Sequence, residues 1–264
     1  MSNMKLTDIG ANLTHESFEN DFDEVVQTAR DCGIGKIILT GTDLETSKAA
    51  QAMAARDNHY FSSTAGFHPH VASSVSAADM AAIAELLEKP EVVAVGETGL
   101  DYNRNFSPAK EQKAVFAQHL ELATSVQKPL FLHQRDAHED FLSFLKQYRD
   151  HLAGGVVHCF TDSESALQDY LELDMYIGIT GWICDERRGQ DLQRHVRLIP
   201  ENRLLIETDA PYLLPRSLKP RPKTRRNEPK FLTEVLRVVA QCRGESAEQV
   251  AAATTANASR LFGL

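Results

Sequence analysis

Short apolar runs in this chain end, again and again, in a metal-ligand type of residue. Val92–Gly96 leads into Glu97, Pro129–Leu132 into His133, and Gly155–Val157 into His158. Leu204–Ile206 leads into Glu207-Thr208-Asp209, and Ala65-Gly66-Phe67 opens into His68-Pro69-His70. Runs of this kind read as buried parallel strands. A polar group placed at the end of strand after strand is costly to bury without partners. Convergence of the strand ends on one metal site removes that cost.

Eight strands are expected, near Lys5–Ile9, Lys36–Thr40, Tyr60–Ala65, Val92–Val95, Leu130–Leu132, Val156–Val157, Met175–Ile179 and Leu204–Ile206. Helical patterns separate most of them: Phe22–Ala29 before Gly33, the Ala-rich Ser47–Arg56, Ser76–Leu87, Ala109–Val126 and Phe231–Cys242. This alternation predicts an α/β fold, a closed (β/α)₈ TIM-type barrel, as a single domain over residues 1–264. A doubly wound open sheet is the runner-up, but it usually carries a Gly-rich phosphate turn after its first strand, and none is present. Active sites of such barrels lie at the C-terminal strand ends, where the acids and histidines fall.

Hydrolysis of a phosphodiester or amide at neutral pH needs a strong nucleophile and an electrophile for the developing charge. A divalent ion supplies both, and mixed imidazole and carboxylate ligands hold one while leaving positions open. Glu97, His133, His158 and Asp209 are of the right types. A lone histidine at a strand end is more often a packing residue, but four such residues on four strands make that explanation succeed four times independently. Asp209 is also placed to accept a proton during attack. Glu207, two residues earlier on the same face, is the alternative acceptor or a structural acid. His68 and His70 are expected to face the substrate or the metal water.

The net charge of −9 argues against grip on duplex DNA by general electrostatics. Arg216 to Arg226 departs from it, with six cations and no acid. Its neutral reading is a solvated loop kept extended by prolines; close behind Asp209, it is also suited to hold a phosphate-bearing strand over the site. No apolar stretch approaches the roughly 18 residues a membrane span needs. The start, Met1 to Asp8, lacks the apolar core of a leader. A cytoplasmic protein without membrane contact is expected, a monomer, with its four scattered cysteines as free thiols. Cys159 reads as a buried filler in preference to a ligand.

Gly66–His70, Gly96–Asp101, Leu132–Ala137, His158-Cys159-Phe160 and Glu207–Leu213 together resemble the TatD family of metal-dependent deoxyribonucleases, over nearly the whole chain. Asp8–Leu13, Asp101–Arg104 and Gly181–Gly189 look like the branch that gives the family its name. The resemblance implies a metallo-hydrolase barrel and a cytoplasmic, magnesium-dependent nuclease trimming single-stranded DNA, and RNA, from the 3′ end, with a role in DNA repair. It also implies that Glu97, His133, His158 and Asp209 bind metal and that His68 is catalytic. Asp101, Asn103, Arg135, Arg225 and Arg226 match substrate-side positions, with which His70 and Asn12 are grouped.

One departure matters. Many relatives carry His-x-His after the first strand, where this chain has Gly10 and Asn12. Asn12 offers a neutral amide oxygen, a weak ligand. One firmly held ion and a second weak one are expected, magnesium or manganese in preference to a zinc pair. Aromatic residues such as Phe67, Tyr102, Trp182 or Tyr212 are candidates to stack terminal bases. Two other readings remain: hydrolysis of an ester or amide, such as an aminoacyl ester on tRNA, and nucleic-acid binding without turnover.

Overall fold

Eight parallel strands form one sheet in sequence order: β1 (Leu6–Ala11), β2 (Ile34–Leu39), β3 (Phe61–Ala65), β4 (Val92–Asp101), β5 (Leu130–Arg135), β6 (Gly155–Val157), β7 (Tyr176–Ile179) and β8 (Leu204–Ile206). The coordinates are a computed structural model describing residues 5–264; the first four residues of the expected domain, also read above for a leader, lie outside the described residues. A helix follows every strand: α1 (Phe22–Asp31), α2 (Leu44–Arg56), α3 (Ala77–Leu87), α4 (Ala109–Val126), α5 (His138–Tyr148), α6 (Glu164–Glu172), α7 (Gln190–His195) and α8 (Leu232–Arg243). A final helix, α9 (Ala247–Phe262), packs against β1 and β8. The fold is the expected TIM-type barrel. Among the described residues no helix is long and apolar enough to cross a membrane.

Two apolar clusters hold this shape. The larger lies between strands and helices, and amphipathic helices such as α1 bury Val25, Val26 and Ala29 in it. The smaller takes one residue from each of seven strands: Ile9, Ile38, Ala94, Phe131, Val156, Tyr176 and Leu205. Seven strands meet in this way only inside a barrel, whose interior is a packed core and not a pore. Ala258 and Phe262 of α9 join this plug. Helix starts are secured by side chains, with capping boxes at Asp43, Ser76 and Ser246.

Two strands, β4 and β5, run furthest beyond their expected ends. β4 continues through Glu97 to Asp101, and β5 through His133 to Arg135, because their pairing resumes beyond an irregularity, from Thr98 against Leu132 to Asp101 against Arg135. His133 therefore stands on paired backbone, opposite Gly99, while Glu97 lies in the irregularity itself, its N–H donating to Gly41 O at 2.7 Å.

The seam between β1 and β8 has only an isolated bridge, Ala11 to Ala210. Side-chain chemistry completes it. Asp8 on β1, fully buried, accepts the Thr208 N–H (2.9 Å) and hydroxyl, while Asp209 N–H donates to Gly10 O at 2.8 Å. Burial pushes the Asp8 carboxyl from 3.8 up to about 7, although the bonds from Thr208 and Gly10 oppose the rise. A raised folded-state value means stability that is full below the unfolded value and is lost as pH climbs through the folded one. Relative to Asp8→Asn, the parent protein is expected to lose stability progressively between about pH 4 and pH 7, with a constant difference above that, as followed by urea denaturation.

Candidate metal centre at the barrel mouth

Glu97 is the focus of the mouth. Its Oε1, on a residue only 5% exposed, receives His158 Nε2 at 2.8 Å, His133 Nδ1 at 3.1 Å and His68 Nε2 at 3.4 Å. These imidazoles come from β5 and from the segments after β6 and β3. Burial alone would raise the Glu97 carboxyl, but facing His158 and His68 it is held well below the ordinary range. His158 answers in the opposite sense: burial disfavours its cation, yet Glu97 and Glu207 hold it well above the usual imidazole value. Burial leaves His68 neutral, with its value down at about 3.

A surrounding set of acids fixes the imidazoles. Asp101 Oδ2 lies 2.8 Å from His70 Nε2 and 3.2 Å from His133 Nε2, while its Oδ1 accepts the Asn103 and Arg104 N–H groups. Asp101 is thus a support for both histidines, in addition to lining the cleft. Gln112 of α4 in turn grips the Asp101 backbone through both N–H and C=O. Glu207 is fully buried; its Oε1 accepts the Cys159 N–H at 2.6 Å and its Oε2 sits 3.3 Å from His158 Nδ1. That is a ligand-orienting geometry, so the direct proton-accepting role considered for Glu207 has no support in its position. Gly10 explains the space: a Cβ there would meet Glu207 Oε2 at 2.6 Å and Phe131 Cζ at 2.9 Å.

Asp209 faces the same cleft, its Oδ1 accepting Asn12 Nδ2 at 3.1 Å. Burial, with the nearby charges of Glu97 and Glu207, pushes its carboxyl up to about 8 against the pull of His158. Asn12 accordingly steadies Asp209 through its amide. The cleft, of about 670 Å³, also presents His70, Arg135, Arg104, Phe106, Trp182 and Tyr212.

Several expected contributors lie elsewhere. Arg226 is committed to Asp21 (2.6 Å) and Glu228 (3.1 Å) and stacks over Phe18, so it braces the fold and does not reach the cleft. Arg225 is exposed and outside the cleft lining, as is Asn103, whose amide donates to Asp136. Arg216 pairs with Glu186. The basic loop therefore does not close over the mouth; the cleft's own arginines come from β5 and the turn after β4. Phe67 is buried against His119, and Tyr102, its hydroxyl donated to Asp140, lies outside the cleft lining, so neither presents a ring there.

His68, Glu97 and His133 offer ligand atoms all within 4.8 Å of one another. The structure therefore draws His68 into the expected donor set. Imidazole nitrogens, which give up their protons on binding a metal, around a deprotonated carboxylate suit a divalent ion, which would relieve their crowding on one oxygen. Such a donor set, at the C-terminal mouth of a parallel barrel where active sites lie, is a candidate divalent-metal site of the kind hydrolases use.

Comparison with known proteins makes the class particular. The model for the TatD related DNase family matches residues 7–263. The chain belongs to this family of nucleases. It is 53% identical, over 97% of both chains, to the 3′-5′ ssDNA/RNA exonuclease TatD of Klebsiella pneumoniae. It is 50% identical, over 97% of this chain and 98% of the relative, to the protein of that name from Escherichia coli K12. The crystal structure of YjjV, a TatD homologue from E. coli, superposes with a TM-score of 0.90 at 28% identity over all of both chains. A TatD-family hydrolase from Entamoeba histolytica gives 0.89 at 27%, over 98% of both.

The histidine that shapes the His68 turn was not singled out in the sequence. His119 of α4 is fully buried; its Nε2 accepts the Phe67 N–H at 3.0 Å and its Nδ1 donates to Val115 O at 2.8 Å. Burial keeps it neutral, down at about 4, as an acceptor must be. His119→Leu strands the Phe67 N–H and is expected to cost about 1–3 kcal/mol in urea denaturation, whereas His119→Gln, which keeps an acceptor, is expected to recover most of it.

Proposed function

We propose that this protein is a magnesium-dependent 3′–5′ exonuclease that trims single-stranded DNA, and RNA, in the cytoplasm as a monomer, and that it serves DNA repair. Near-complete alignment with relatives named for that activity supports the polarity and substrate. The observation that carries the chemistry is the focus of three imidazoles on Glu97 beside the raised Asp209. Glu97, His68, His133 and His158 would hold the ion, with Asp209 completing the set. A divalent ion bound there supplies Lewis acidity toward the phosphate and lowers the pKa of water.

The chain's own groups do the rest. Asp209 faces the cleft with one carboxylate oxygen fixed by Asn12, and its other oxygen is the one placed to take a proton. Asp101 and Glu207 prevent the imidazoles from turning away. Arg135 and Arg104, exposed in the cleft, offset phosphate charge. Magnesium is favoured over a tight zinc pair because the first strand contributes Gly10 and Asn12, and Glu207 fills the volume above Gly10.

Glu97→Ala and Asp209→Ala are each expected to lower release of nucleotides from an end-labelled single strand by at least about a hundredfold, with a native circular dichroism spectrum. Activity is expected with magnesium or manganese, and label at the 3′ end is expected to be freed first. Parent-level cleavage by Asp209→Ala contradicts the mechanism. Faster hydrolysis of charged tRNA than of single strands favours the esterase reading instead.

A further inference from the structure

Two aromatic rings stand out at the mouth because the fold leaves them in water. Among the described residues four large hydrophobic side chains are exposed, and two of them, Phe106 (66%) and Tyr212 (52%), border the same cleft as Glu97. Scattered exposed apolar residues need no explanation, but a pair facing one catalytic cleft does. Phe106 lies in the turn after β4 and Tyr212 in the turn after β8. In an eight-stranded ring these strands are diametrically opposed, so the rings stand on opposite lips.

Each ring is steadied by one perpendicular imidazole contact and otherwise left open. His70 meets Phe106 at 4.8 Å between centroids, and His15 meets Tyr212 at 5.9 Å. Charge accompanies the Phe106 lip. Arg104 and Arg135 are exposed in the cleft and form no ion pair among the described residues. Neighbouring arginines behave otherwise: Arg187 and Arg188 are drawn to Asp185 and Arg216 to Glu186. On a chain of net charge −9, two unneutralised guanidinium groups beside an exposed aromatic form a local anion-and-stacking surface.

We propose that Phe106 and Tyr212 form a base clamp across the mouth, stacking terminal bases of a single strand while Arg104 and Arg135 take the phosphates between. The inference rests on the nuclease reading and adds to it the part of the substrate that is gripped. Such a clamp favours single strands, since a base held in a duplex presents no free face, and it tolerates any sequence because every base has a π-face. Phosphate contacts alone would bind an abasic strand as well as an ordinary one.

The test is equilibrium binding by fluorescence anisotropy, with magnesium present. The probes are a 5′-labelled thymidine strand of about twelve nucleotides and the same strand with its last three bases removed; both carry phosphorothioates at the last three linkages so that they survive. The parent protein is expected to prefer the base-bearing strand by about tenfold. Phe106→Ala and Tyr212→Ala are each expected to remove most of that preference while leaving affinity for the abasic strand unchanged, and Phe106→Trp to retain it. Equal affinity of the parent for both strands, no binding of either, or a preference that survives both alanine changes overturns the clamp. Cleavage of an ordinary strand, run in parallel, reports on the nuclease reading separately: intact base preference without cleavage overturns that reading and not the clamp.

Discussion

A single carboxylate oxygen organises this molecule's chemistry. Glu97 Oε1 is buried and ringed by nitrogen atoms of three histidines that come from three different parts of the barrel. Without a bound cation that arrangement holds a compensating positive charge on imidazole, chiefly on His158. His68 and His133 offer nitrogens close enough to Glu97 for the three to share one cation. Opposite charges in a low-dielectric pocket attract strongly but cost desolvation, so the pocket is stable only when every remaining lone pair and proton is satisfied.

The surrounding fold meets that condition. Glu207 and Asp101 occupy the far nitrogens of His158 and His133, and Gln112 fixes Asp101 from α4. Asp8 ties the β1–β8 seam beside Asp209, where regular ladder bonding is absent. The polar contacts that complete the barrel thus also locate Asp209 at the cleft. Stability and chemistry share residues here, and Asp209 and Cys159 both adopt left-handed backbone (φ 57° and 46°) at the mouth, the local strain common at functional sites.

The barrel was legible because buried strands and polar strand ends repeat with a fixed order, and both signals are local. Glu97, His133, His158 and Asp209 were legible for that reason. Glu207 was found with two readings open, and its position favours the structural one: alternation places it on the same face as Asp209, yet the end of β8 at Ile206 and the turn at Asp209 send the two carboxylates to different partners. Arg226 looked like a phosphate ligand because its acidic partner, Asp21, lies 205 residues away in sequence. His119 carries no motif at all; only packing of α4 under the His68 turn gives it a role. Phe106 was missed since exposure of a lone aromatic in a turn has no sequence signature.

The claim that these side chains assemble to hold a cation is tested most directly by diffraction from a crystal soaked in manganese. An anomalous peak within bonding distance of Glu97, His68 and His133, with Asp209 turned toward it, is the expected result. Full occupancy of manganese elsewhere, with nothing among these residues, would contradict it.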